Sequence, residues 1–186
     1  MNTNLDQFLN KFPTLLEVLD KLNAHNIEWY IGGSGCLFLL GNKRLPDDVD
    51  IYLRDDQHDM ADKIFGIESF QYTSPVENVR NSNPGGDHDI QLTSGLTIIV
   101  GGITYLLSIN DAVRKQALNM GELRLYPPED VLLIKALLQR GADVGKKDLA
   151  DIKTFQAIYE LDGEYLRERI AELGAEERVR GIFRGA

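Results

Sequence analysis

The stretch "WYIGGSGCLFLLGNKRLPDDVDIYL", residues 29–53, constrains the fold of this chain more than any other. An apolar run ends in Gly32-Gly33-Ser34, and a short apolar segment follows as far as Gly41. Asp48 and Asp50 then lead into a second apolar run. The order reads as strand ("IEWYIG"), glycine turn, helix ("SGCLFLLG") and strand ("DVDIYLR"). Alternate residues of a strand share a face, so Asp48 and Asp50 point one way while Val49, Ile51 and Leu53 point toward a core.

Two carboxylates on one face repel each other unless positive charge sits between them. A hard divalent cation such as Mg2+ suits that place, because it takes oxygen ligands and combines one or two carboxylates with phosphates. A Gly-Gly turn opening a helix lets backbone N–H groups come close to an anion, and the Ser34 hydroxyl adds a donor. A phosphate cradle beside an acid pair is equipment for phosphoryl or nucleotidyl transfer. A plain strand-to-helix turn and a solvated "PDD" strand start are the ordinary alternatives. No Gly-Lys-Ser/Thr follows the glycines, so this is not a Walker-type loop.

The rest of the chain reads around this unit. "TLLEVLDKLNAHN" places Leu15, Leu16, Val18, Leu19 and Leu22 on one helical face, with Thr14 and Glu17 spaced as a capping box. Residues 56–68 form a helix with Met60 and Ile64 inward, and residues 71–88 a long loop of the kind that carries function. "DIQLTS" and "TIIVGGITYLLS" supply further strands, with Gly101-Gly102 as a hairpin turn. A helix over residues 109–119, entered at Ser108 and Asp111, and a short strand "LRLY" follow. After Pro127-Pro128 the chain is helical, in "EDVLLIKALLQR", "KKDLADIKTFQAIYE" and "EYLRERIAELG". The fold class is α+β: a mixed β-sheet flanked by helices over residues 1–126, and a C-terminal helical part over 127–186 packed on it.

Composition narrows the functions available. A net charge of −9 disfavours a sequence-independent grip on nucleic acid, which needs clustered Lys and Arg. The single cysteine, Cys36, excludes an internal disulfide and suits a reducing compartment as a core residue. The N-terminus lacks the pattern of a signal peptide, and no apolar run reaches the ~20 residues of a membrane span, so the expectation is a cytoplasmic protein. His25, His58 and His88 share no metal-ligand spacing.

With Gly32-Gly33-Ser34, the helix and Asp48-x-Asp50 in an apolar strand, the chain resembles the DNA polymerase β-like nucleotidyltransferase superfamily. The small bacterial members, both minimal nucleotidyltransferases and the toxin-type branch, are the most similar in pattern. Arg44 stands four residues before Asp48, where small members often carry an arginine. Lys135 in the "PPEDVLLIKALLQR" helix and the Lys147-Asp148-x-x-Asp151-Ile element extend the likeness across residues 27–153.

The resemblance implies a Mg2+-dependent nucleotidyltransferase that moves a nucleoside monophosphate from a nucleoside triphosphate to a hydroxyl acceptor. It implies nucleotide contacts at Gly32, Gly33, Ser34, Arg44, Lys135 and Lys147, and a two-metal site at Asp48, Asp50 and a third carboxylate. Asp89 is the candidate for that third acid, with Asp87 competing. The acceptor is left open among a protein side chain, a small molecule such as an aminoglycoside, and an RNA 3′ end. A homodimer or a cognate partner of toxin–antitoxin type belongs to the same implication. The rival reading is a catalytically decayed nucleotide-binding or interaction protein of the same fold.

Overall fold

The computed structural model describes residues 3–84 and 89–183. The chain begins with α1 (Thr3–Lys11) and α2 (Leu15–Ala24), then β1 (Trp29–Ile31), α3 (Gly33–Leu39) and β2 (Val49–Leu53). There follow α4 (His58–Phe65), β3 (Phe70–Thr73), β4 (Glu77–Ser82), β5 (Ile90–Val100) and β6 (Ile103–Leu107). Next come α5 (Asp111–Gln116), β7 (Leu118–Met120) and β8 (Leu123–Leu125). The chain ends in α6 (Pro128–Leu138), α7 (Asp148–Phe155), α8 (Gly163–Leu173) and α9 (Glu176–Val179).

The strands form one mixed sheet in the order β3-β4-β5-β2-β1-β8-β7, with β6 added to β5. β2 runs antiparallel to β1 and parallel to β5, in the register Val49↔Ile90, Asp50↔Gln91 and Tyr52↔Thr93. Along β2 burial alternates. Val49, Ile51 and Leu53 sink into the core and leave Asp50 and Tyr52 on the opposite face.

Apart from Glu129, Asp130 and Lys135 the α6 sequence is apolar, and every one of its residues is buried. It packs against α3, β5, α7, α8 and α9. Burying Leu132, Leu133 and Leu137 contributes roughly 1.5–3 kcal/mol each. Asp130, at its first turn, accepts from Arg169 Nε at 2.8 Å and from the Tyr165 hydroxyl, which pins α8. Arg178 donates to the Leu137 carbonyl from Nε and Nη2 at 2.9 and 2.8 Å, capping the other end.

Several local expectations need correction. Residues 71–88 are not one loop, because β3 and β4 pair across a short turn there. β3 is exposed on both faces and β4 is polar apart from Val79, with Asn81 and Ser82 buried, so neither strand shows the apolar alternation that betrays a strand. "DIQLTS" and "TIIV" run on as the single strand β5 through Gly95, which sits at φ +61°. Met60 is exposed; His58, Ala61 and Asp62 make the buried side of α4. Leu16 also faces out, and the Thr14 side chain caps nothing. The helix after residue 108 ends at Gln116, and its cap is Asn110, whose Oδ1 accepts from Val113 N at 3.0 Å. Among the described residues no helix is long and apolar enough to cross a membrane.

Candidate active site

Where β1 meets α3 the chain must turn beside β2. Gly32 N–H donates to the Asp50 carbonyl at 2.8 Å, which brings the two backbones together. A Cβ on Gly32 would lie 2.6 Å from Cζ of Tyr52, a ring already set edge-on to Tyr126 with centroids 5.0 Å apart. Gly33 sits at φ +53°, where side chains are rarely tolerated. A Cβ there would overlap Oδ2 of Asp50 outright and lie 3.2 Å from its Cγ. Both glycines are therefore required by the close passage of β2. Ser34 follows, half-buried, at the same mouth.

This mouth opens on a cavity of about 360 Å³. Gly33, Ser34, Arg44, Asp48 and Asp50 line one side of it; Lys135, Lys147, Asp148 and Asp151 line another. The face of the sheet between them contributes Tyr52, Gln91, Thr93 and Asn81. The structure thus brings together nearly all the residues singled out from the sequence, although they are more than a hundred positions apart.

The charges are arranged unevenly. Asp50 is half-buried, and no hydrogen bond or ion pair among the described residues ends on its carboxylate. Burial, and then the neighbouring Asp48 charge, push its pKa up to about 6, against the pull of Lys146, Lys135 and Arg140. Lys135 is nearly buried, and its Nζ donates to Asp151 Oδ2 at 2.9 Å and to Asp148 Oδ1 at 3.3 Å. Arg140 holds Asp148 through Nε at 2.9 Å and reaches Glu77 through Nη1 at 3.1 Å. Arg44 pairs with the exposed Asp47 at 3.6 Å. Lys146 and Lys147 are exposed at the rim, and no ion pair among the described residues engages them.

The candidate third acid lies at the edge. Gln91 stands beside Asp50 in the β2–β5 register. Carried two residues back, the same register sets Asp89 beside Asp48, and Val49 N–H donates to the Asp89 carbonyl at 2.7 Å. The Asp89 side chain is exposed and outside the cavity lining. Asp87 and His88 lie outside the described residues.

A divalent cation suits this chemistry on two observations. Asp50 presents a carboxylate without a partner against Asp48, and its Oδ2 occupies the space a Cβ of residue 33 would fill, which sets the carboxylate against the backbone of the glycine turn. Among the described residues no three His, Cys, Asp or Glu side chains cluster as a ready-made metal cage. Asp48 and Asp50 would therefore share a cation with oxygens from outside the chain, as Mg2+ with phosphates commonly requires.

Arg140, Lys146, Glu77 and Gln91 escaped the sequence reading. Gln91 is recoverable from strand alternation after Asp89, whereas Arg140 closes one expected helix and Lys146 opens the next, places where a lone cation signals no role; the two helices run only over Pro128–Leu138 and Asp148–Phe155, which leaves both residues in the connection.

Residues 14–97 match the family model of aminoglycoside-2''-adenylyltransferase, a segment that holds the glycine turn, Asp48, Asp50 and Asp89. No curated protein matches the chain. Among solved structures, the chain is similar to a candidate nucleotidyltransferase from Thermotoga maritima, with TM-score 0.56 and 14% identity, over 73% of this chain and 88% of that one. It also aligns with ANT(2'')-Ia in complex with adenylyl-2''-tobramycin, with TM-score 0.46 and 15% identity, over 91% and 92% of the two chains. The sheet order, the glycine turn against β2 and the likeness to the Thermotoga maritima structure agree: the chain has a nucleotidyltransferase-like fold.

Proposed function

We propose that the chain is an enzyme that transfers a nucleoside monophosphate from a Mg2+-bound nucleoside triphosphate to the hydroxyl of an acceptor. The observation that carries this reading is the unpartnered Asp50 carboxylate, set beside Asp48 and against the side-chain-free backbone of Gly33. Gly33 and Ser34 hold the outer phosphates of the triphosphate. Lys146, Lys147 and Arg44 add positive charge at the rim. Asp48 and Asp50 would hold Mg2+, which when bound neutralises phosphate charge and stabilises the leaving pyrophosphate. The acceptor oxygen forms its bond to the α-phosphorus, the bond from that phosphorus to the pyrophosphate oxygen breaks, and the acceptor proton leaves to a nearby carboxylate. Asp89, beside Asp48, is the carboxylate we assign to the acceptor side.

The family model favours ATP as donor and a small hydroxylated molecule as acceptor. The −9 charge supports the same preference over RNA. Binding of ATP measured by calorimetry with and without Mg2+ tests the reading. The parent binds in a Mg2+-dependent manner, and the Asp48→Asn/Asp50→Asn double variant, still folded, loses that dependence. Equal Mg2+-dependent binding by both would overturn it.

A further inference from the structure

The cavity extends well past the phosphate-holding side, and its far wall is aromatic. Phe70 and Tyr72 are two residues apart on β3, so their rings share a face, and both line the cavity. They are 46% and 47% exposed, and neither ring stacks on another among the described residues. β3 is an edge strand whose other face carries Gln71 and Thr73, both hydrogen-bonded to Asn78. An edge strand with polar residues on one face and two open aromatic rings on the other presents adjacent apolar surface to the cavity, of the kind ligand sites use.

The place of this wall follows from the sheet. Tyr52, Thr93, Asn81 and Phe70 occupy one row across β2, β5, β4 and β3. At a strand spacing of about 4.8 Å, Phe70 is roughly 14 Å across the sheet from β2. The glycine turn lies on the opposite side of Asp50, toward β1. In-line displacement puts the entering oxygen and the leaving pyrophosphate on opposite sides of the α-phosphorus. With pyrophosphate at Gly33 and Ser34, the acceptor enters over β5 and β4, and its far end reaches β3.

We propose that Phe70 and Tyr72 determine acceptor specificity by taking a ring face of a cyclic, hydroxyl-bearing small molecule. This rests on the transferase reading above. Gln91, Thr93 and Asn81 form the polar floor beneath it. Thr93 Oγ1 donates to Asn81 Oδ1 at 3.0 Å, which leaves the Asn81 amide N–H groups as donors to a ligand hydroxyl. Aromatic rings bind the flat or C–H-rich face of a ring better than a flexible chain, because less conformational freedom is lost on stacking.

The test is transfer of label from α-labelled ATP and Mg2+ to three acceptor sets. One contains cyclic polyols and aminocyclitol glycosides such as tobramycin, one acyclic polyols, and one the side chains of an unrelated protein. The proposal expects transfer to a member of the cyclic set. For that acceptor, Phe70→Ala/Tyr72→Ala raises KM tenfold or more, while KM for ATP changes less than threefold and the thermal midpoint stays put. Tyr72→Phe, which keeps the ring, retains the parent KM. Transfer confined to acyclic or protein hydroxyls overturns the proposal while leaving the transferase reading standing. So does an unchanged acceptor KM in the double alanine variant. An equal rise in KM for ATP overturns it by assigning the rings to the nucleobase. Mg2+-dependent ATP binding without transfer to any set overturns the transferase reading, and the proposal with it.

Discussion

Gly33 has no side chain because Asp50 occupies the place where one would go. A Cβ at residue 33 overlaps Oδ2 of Asp50, and its backbone already stands at φ +53°. Gly33→Ala therefore carries two separate costs. The left-handed conformation costs about 1–2 kcal/mol of stability, and the displaced Asp50 loses its place at the nucleotide. Gly101→Ala serves as the control, since Gly101 has φ +60° and nothing within 4 Å. Urea denaturation will show comparable destabilisation in the two variants. ATP titration will show a tenfold or greater loss of affinity in Gly33→Ala alone.

The two lysines singled out in the sequence stand in different surroundings. Lys135 is nearly buried between Asp148 and Asp151, whereas Lys147 is exposed at the rim. Lys135→Met leaves buried acid without its partner and destabilises by about 3 kcal/mol, at the low end for a broken buried pair because Arg140 still holds Asp148. Lys147→Ala changes stability by less than about 0.5 kcal/mol yet raises KM for ATP. Chemical denaturation beside steady-state kinetics separates the two roles.

These contrasts mark what was legible in the sequence. The β1–α3–β2 unit was, because Gly32-Gly33, the alternation in "DVDIYL" and the apolar helix between them are local signals. The wholly buried α6 was visible as a run of apolar residues behind two prolines. The far side of the cavity was not. β3 and β4 have polar or exposed side chains in both directions, so their pairing leaves no period in the sequence. In the sequence Asp148 and Asp151 read only as a charged helix start, and that they pair with Lys135 emerges once α7 is folded against α6.

Binding of the donor should depend on pH with a definite sign. Asp50, with its pKa pushed up to about 6, must lose its proton before it holds a cation, so Mg2+-ATP affinity falls as pH drops through about 6. Without metal the stability effect runs the other way. The folded-state pKa lies above the ordinary 3.8, so the contribution of Asp50 to stability is fully present below that value and is lost as pH rises through about 6. Asp50→Asn removes this slope. Denaturation of the metal-free parent and variant between pH 4 and pH 7 (a range of about three units around the raised pKa) measures the difference.

Asp89 offers a separate check on the acceptor side. Its place beside Asp48 predicts that Asp89→Asn lowers turnover at saturating ATP by about a hundredfold, roughly 3 kcal/mol of transition-state stabilisation. ATP affinity stays near the parent value, because Gly33, Ser34, Asp48 and Asp50 are untouched. Single-turnover rates alongside equilibrium binding make the distinction. An unchanged rate would move the role to another carboxylate.

The role proposed for Asp50 is support of nucleoside monophosphate transfer. Its most direct measurement is the rate of label transfer from α-labelled ATP to acceptor in the parent and in Asp50→Asn, at matched Mg2+ and with folding checked by circular dichroism. The expected result is transfer by the parent and a loss of more than about a hundredfold in the folded variant, equivalent to roughly 2.7 kcal/mol. Transfer by Asp50→Asn at the parent rate would contradict it.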